Sequence, residues 1–210
     1  MKGPSLLNLT SDSATNKHTL AETARIYTTY WSTAVEIWDD ETVVSADSEG
    51  NISLFQKSSS VLAEDQHRLM PIAEMHLGEI VNRIRRIPGA MTPETVVLPK
   101  AYFATGDGGV YLLGAIGKKH ADLLMQLQSN MSRVIKGVGE LEFAPWRAKR
   151  TATTSAEEPL RFVDGDFVER FLELGDDLQR KIVSGKKEVD SLKASVDEVR
   201  TLLEGLKRLH

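Results

Sequence analysis

Cysteine is absent from the 210 residues. Its absence removes disulfide bonds, thiol nucleophiles, and zinc or iron–sulfur sites built on thiolates. Long apolar runs are missing as well, and no stretch approaches the roughly 20 residues that span a bilayer. The opening MKGPSLLNLT has too short an apolar segment for a signal peptide, so the expectation is a soluble cytoplasmic or nuclear protein. A strong charge of one sign is lacking: the formal net charge of −4 weighs against a protein that grips nucleic acid by bulk electrostatics. Acidic residues outnumber basic ones up to Lys118 and balance them after it, which suggests a boundary there.

Patterns for catalysis are equally scarce. His18, His67, His76, His120 and His210 are scattered and show no HExxH or paired metal spacing. Gly106-Asp107-Gly108-Gly109 lacks the Lys-Ser/Thr of a phosphate loop, and an apolar strand follows it, so it reads as a hairpin turn. No Gly-x-Ser-x-Gly elbow occurs. The Asp164-Gly165-Asp166 turn lacks the alternating ligands and terminal Glu of a calcium loop and runs straight into a helical pattern. The expectation is a protein that is not an enzyme and needs no cofactor or metal.

What is present begins with strands. Segments 23–28, 33–38, 41–46 and 50–56 are short, rich in Val, Ile, Thr, Tyr or Trp, and separated by Asp39-Asp40 and by Ser48-Glu49-Gly50-Asn51, which are turn chemistry. A second set follows at 72–78, 80–86, 96–105 and 109–116. VSADSEGNISL at 44–54 and FATGDGGVYLL at 103–113 share small residues, a Gly-bearing turn and then an apolar strand. Four strands recurring at this spacing is the pattern of β-propeller blades, yet two copies are too few to close a ring of about 4–8 blades. The β half is therefore either a small sandwich or the tail of something larger, and the second is preferred.

After Lys118 the period changes to that of helices. Leu124, Leu127, Met131, Val134 and Val138 recur at three- and four-residue steps, with Gly137 and Gly139 closing the run. A polar, irregular stretch at 140–161 contains Pro145, Pro159 and the Thr/Ser run 151–155. In FVDGDFVERFLEL at 162–174, Asp166 is the expected N-cap with Glu169 three positions on, and Phe167, Val168, Phe171, Leu172 and Leu174 form one apolar face. A last helix is expected over 186–209, with Val189, Leu192, Val196, Val199, Leu203 and Leu206 on one face. Trp146-Arg147-Ala148-Lys149-Arg150 is a short basic patch beside an aromatic; Arg147, Lys149 and Arg150 are candidate contacts for a phosphate backbone, or else solvated cations around a packed Trp. Tyr30-Trp31 precedes a strand, where large aromatics are core or interface anchors.

Five segments in register carry a family resemblance. YWSTAVEIWDD at 30–40 looks like a stretch in which Trp precedes S-A-V-E-I-L-D-D. MHLGEIVN at 75–82 is similar to F-H-L-G-E-F-V-N, and VIKGVGELEFAPWR at 134–147 keeps V-I-K-x-V-G-x-x-E with Trp-Arg at the same spacing. FVDGDFVERFLEL resembles F-I-D-G-D-L-I-E-x-F-L-D, and the final LEGLKRLH is similar to E-E-L-x-R-I-H. The chain thus resembles the family of multi-propeller proteins typified by the large subunit of the UV-damaged-DNA-binding complex, which also includes the largest polyadenylation-specificity subunit and a large subunit of splicing factor 3b.

The resemblance implies β then α: residues 1–117 as the last blades, about two, of a seven-bladed β-propeller, and 118–210 as a helical C-terminal domain, with the chain a C-terminal fragment of a longer protein. It implies a scaffold or adaptor that links a cullin-4 ubiquitin ligase to WD40-type substrate receptors in nucleotide-excision DNA repair. The protein would be nuclear and also cytoplasmic, with the cullin contact outside this chain and any nucleic acid bound weakly or indirectly. The alternative is a structural subunit of an RNA-processing complex, in splicing or 3′-end formation. Residues carried over to a receptor-docking face are Trp31, Glu79, Ile80 and Asn82. The family pattern has Phe where Ile80 stands, and 87–100 and 175–195 diverge from it.

Overall fold

The computed structural model describes residues 3–28, 31–62 and 65–209. Tyr30 and His210 therefore lie outside the described residues. Strands come first and helices follow. β1 (Ser5–Asp12) and β2 (Lys17–Arg25) make a two-stranded hairpin. β3 (Ser32–Ile37), β4 (Thr42–Asp47), β5 (Asn51–Lys57) and β6 (Leu69–His76) form a four-stranded antiparallel meander, the sheet form of a propeller blade. β7 (Val81–Arg86), β8 (Val97–Thr105) and β9 (Val110–Ile116) form a three-stranded sheet, and its edge strand β7 lies against β3.

Period-two alternation explains how the sheets stack. In β4, Val44 and Ala46 face the second sheet and join Ile52, Met75, Leu77, Val81, Ile84, Ala101, Phe103 and Leu113 in one core. Val43, on the opposite face, pairs across the strands with Phe55, which packs with Ala24, Ile26 and Leu69 in a second core at the base of the hairpin. β4 is consequently buried along its whole length, Thr42 and Ser45 included. The expected strands from 33 onward match within about three residues, but two features differ. Strand 72–78 pairs with β5 (Ile52 opposite Met75), so it closes the first sheet instead of opening the second. The β1–β2 hairpin was not legible except at its end, because its faces are exposed and mostly polar and alternation has nothing to report.

The helical part is α1 (Lys118–Ser132), α2 (Phe143–Arg147), α3 (Gly165–Glu169), α4 (Asp176–Ser184) and α5 (Val196–Lys207), with short 3-10 turns between them. Leu124, Leu127 and Met131 of α1, Phe143 of α2, Phe167 and Val168 of α3, Phe171, Ile182, Val199 and Leu203 share a single core, as the apolar spacing expects. Val96 and Ile116 of the sheet region reach into it.

Three helix expectations change. α1 stops at Ser132, ahead of the β-branched and glycine-rich VIKGVG, which is a poor helix former. The single helix over 186–209 is in fact a 3-10 turn at Glu188–Asp190 and then α5, because Ser195 and Glu198 make a reciprocal capping box that starts a helix there. Val189 is exposed as a result. The N-cap of α3 is Asp164 and not Asp166: Asp164 Oδ1 accepts from Phe167 N–H at 3.2 Å, and Asp166 falls inside the first turn.

Candidate functional site

Turns at one end of the two sheets bring the candidate docking residues together. The turn joining β4 to β5 holds Gly50 at φ +78°, a conformation that favours glycine. It packs so closely on the segment before β7 that a Cβ on Gly50 would lie 3.2 Å from Glu79 N. Leu77 N–H donates to Gly50 O at 2.8 Å, Ser48 N–H to Trp31 O at 3.0 Å, and Gly106 N–H to Ile80 O at 2.9 Å. Trp31, the 48–50 turn, the 78–82 segment and the 106–109 turn are thus knitted by backbone bonds into one sheet end. Gly106–Gly109 is the β8–β9 hairpin turn, as its chemistry suggests.

On that end the four carried-over residues divide. Trp31 is 60% exposed and Ile80 46% exposed, and Asn82 also faces solvent. Glu79 is partly buried and committed internally: Thr105 Oγ1 donates to its Oε2 at 2.6 Å and Tyr111 OH to its Oε1 at 2.6 Å. Those two hydroxyls, Thr105's foremost, hold the Glu79 carboxyl below the usual carboxylate range. The same bond to Glu79, with burial behind it, pushes the Tyr111 phenol up to about 12. Gly109 N–H completes the network by donating to Thr105 Oγ1 at 3.0 Å. Glu79 is therefore a fixed carboxylate that sets the shape of the turn flanked by Ile80, and Trp31 and Ile80 are the exposed apolar groups.

Behind this end lies the junction with the helical part, and here two of the three cations of the basic patch, Arg147 and Lys149, are tied to carboxylates. Arg147 is buried; its Nε bonds Asp164 Oδ2 at 2.6 Å, its Nη1 reaches Leu77 O at 3.0 Å and His76 O at 3.3 Å, and its guanidinium lies 3.8 Å over the Trp146 ring. Lys149 pairs with Glu74. Arg150 alone of the three is exposed, and its Nη2 donates to Pro145 O at 2.9 Å. Gln128 of α1 ties in the motif from the other side, donating to Phe162 O at 2.9 Å and accepting from Asp164 N–H at 2.7 Å. WR and FVDGD are thereby joined: one arginine bridges the β6–β7 connection to the cap of α3.

Several residues in this junction were missed in the sequence. Asn51 accepts from Arg150 N–H at 3.0 Å and donates through Nδ2 to Arg150 O at 2.6 Å, while its Nδ2 also bonds both Asp47 carboxylate oxygens. Asn51 reads only as the end of the Ser48-Glu49-Gly50-Asn51 turn, and Asp47, the last residue of β4, is assigned no role. Nothing in local spacing links positions 99 residues apart. Among the described residues no group of three or more His, Asp or Glu could hold a metal ion. Among them, too, no helix is long and apolar enough to cross a membrane.

The class of protein these features define is one of antiparallel, blade-like sheets locked by an arginine onto a small helical bundle. Residues 1–173 match the family model described as the CPSF A subunit region, and the chain belongs to that family. The match runs from the hairpin through α3 and the turn after it, so α4 and α5 lie beyond it. The chain is 34% identical over 202 residues to DNA damage-binding protein 1a of Arabidopsis thaliana, covering 91% of this chain and 17% of that protein. It is 30% identical over 193 residues to DNA damage-binding protein 1 of Schizosaccharomyces pombe, covering 91% of this chain and 18% of the relative. DNA damage-binding protein 1 of Drosophila melanogaster is 30% identical over 200 residues, 90% of this chain and 17% of its own length. The chain thus spans under a fifth of the length of these curated relatives.

Proposed function

We propose that this chain is the receptor-holding part of a DNA-repair scaffold. In this reading residues 1–117 are the last blades of a seven-bladed propeller, and 118–210 are a helical C-terminal domain docked on it. The sheet end carrying Trp31 and Ile80 grips a WD40-type substrate receptor, and the complete assembly presents that receptor to a cullin-4 ubiquitin ligase in nucleotide-excision repair, chiefly in the nucleus and also in the cytoplasm. The observation that carries the reading is the pairing of an exposed tryptophan with an exposed isoleucine on a turn already stiffened by Glu79, Thr105 and Tyr111. Exposed apolar anchors on a rigid support are what protein docking uses. The names of the relatives support the link to DNA damage.

The test is titration calorimetry with a purified WD40-type receptor. Trp31→Ala lowers affinity by more than ~2 kcal/mol, the loss expected of a buried interface anchor. Unchanged affinity would refute the assignment of that face. A second reading, a structural subunit of an RNA-processing particle in splicing or 3′-end formation, is favoured only by the description of the matching family. Mass spectrometry of copurifying proteins separates the two: ligase and receptor subunits support the first, splicing or cleavage subunits the second.

A further inference from the structure

Downstream of the arginine lock, residues 149–156 form a miniature hairpin on the sheet surface. Ala156 N–H donates to Lys149 O at 2.9 Å, and Thr151 N–H to Thr154 O at 2.7 Å. Between those two hydrogen-bonded pairs Arg150 stands opposite Ser155. That is a non-hydrogen-bonded antiparallel pair, the kind in which facing side chains come closest. The tip is held to the sheet end, since Ala152 N–H donates to Glu49 Oε1 at 2.9 Å. Residues 151–158 are all exposed.

We propose that Ser155 is a phosphorylation site for an acidophilic serine/threonine kinase, and that Arg150 is the built-in receptor for the phosphate. Glu157 and Glu158 stand two and three residues after the hydroxyl, both solvent-exposed, where a kinase with a basic substrate groove reads them. The basic residues before it are poor determinants for a basophilic kinase, because Arg147 is buried on Asp164 and Lys149 is paired with Glu74. Ser155 Oγ makes only a 3.2 Å bond to Ala156 O, whereas Thr154 Oγ1 is 2.6 Å from Thr151 Oγ1 and Thr154 O is held in the turn. In the transfer, Ser155 Oγ bonds the γ-phosphorus of ATP as the bond to the ADP oxygen breaks; ADP leaves, and the hydroxyl proton passes to the kinase's base.

The product gains close to two negative charges directly across from Arg150. Among the described residues no carboxylate pairs with Arg150, whose guanidinium donates only to the Pro145 carbonyl, so it is free to fork onto phosphate oxygens. The pairing closes the small hairpin more firmly. It also adds charge beside Glu49, in the turn whose Ser48 bonds Trp31 O, at the border of the proposed docking face.

The test treats the full chain with casein kinase 2 and Mg·ATP and maps the product by mass spectrometry. One phosphate on Ser155 is expected, with none in Ser155→Ala and a rate about tenfold lower in Glu158→Gln, the loss of one charge-assisted contact. No incorporation, or phosphate on Thr151, Thr153 or Thr154 instead, overturns the site. Limited trypsin digestion reads the pairing: cleavage after Arg150 slows by about tenfold on phosphorylation of the folded chain. A free peptide of residues 145–160, phosphorylated or not, is cut equally fast. Equal cleavage of the folded chain before and after phosphorylation, or slowing in the peptide as well, overturns Arg150 as the receptor.

Discussion

Arg147→Met removes the lock between sheets and helices while keeping most of the side chain's apolar stem. In the folded chain Arg147 and Asp164 expose only 11% and 8% of their side chains, so the charges are nearly desolvated. Breaking a buried pair by removing one partner costs about 3–5 kcal/mol, because the remaining charge is stranded. Asp164 keeps the Phe167 N–H as a donor, which places the expected loss near the lower end, at ~3 kcal/mol. The Leu77 and His76 carbonyls lose their shared donor in the same step. With an m value of ~2 kcal/mol per molar, the urea midpoint falls by about 1.5 M, read by circular dichroism with m unchanged.

Asp164→Asn supplies the second edge of a double-mutant cycle. It strands the arginine instead of the aspartate yet keeps an oxygen acceptor for the α3 cap. The two substitutions together should cost about 2 kcal/mol less than the sum of each alone, since the double variant leaves no unpaired buried charge. A loss below ~1 kcal/mol for Arg147→Met, or effects that add within about 0.5 kcal/mol, refutes the lock.

Two further outcomes follow from single residues. Glu79 titrates below the ordinary 4.5 in the folded state, so its stabilisation is fully present above that value and is lost as pH falls through the folded pKa; Tyr111 is raised from 10.0 to about 12, so its contribution is present below pH 10 and is lost as pH rises toward 12. Thermal melts across pH should show both limbs, and Glu79→Gln should flatten them; limbs that survive the substitution place their origin elsewhere. Ser195→Ala removes half of the α5 capping box and should destabilise the helical core by about 1 kcal/mol in urea unfolding, whereas no shift would mean that packing of Val199 and Leu203 alone holds the helix start.

Legibility in the sequence followed burial. β3 to β9 could be read because each lays an apolar face on a core, and the chain writes that face as alternation around Gly- and Asp-bearing turns. The α1, α3 and α5 faces could be read for the same reason at helical period. α4 was hidden because Asp176–Ser184 buries little beyond Gln179 and Ile182, and Gln179 is a polar residue whose partners, Phe171 O and the Arg200 guanidinium, lie outside the helix. The cap of α3 was misplaced by two residues because both aspartates of DGD are good caps, and contacts from Arg147 and Gln128, far from the motif in sequence, hold Asp164 in that role.

The candidate site shows the same division. Trp31 stands out as a large aromatic ahead of a strand, Ile80 enters only through the family resemblance, and the exposure of both is a matter of which turns the sheets bring together. Glu79 looks like a surface carboxylate in HLGEIVN and becomes a structural one only when Thr105 and Tyr111, far along the chain, fold over it. WRAKR reads as a cationic patch because charge is counted locally, whereas Arg147 and Lys149 find carboxylates at Asp164 and Glu74 and, among the described residues, only Arg150 does not.

The sequence by itself determined the order of strands then helices, the apolar faces of the main helices, and, through five short segments in register, the family. Those properties are local: periodicity, capping and turn chemistry act within a few residues, and burial amplifies them. The tertiary structure alone decided which charges are free and which are spent, and which turns share an end of the sheets. Ion pairs and hydrogen bonds between residues as far apart as Asn51 and Arg150 depend on chain topology, and no short window of residues encodes that.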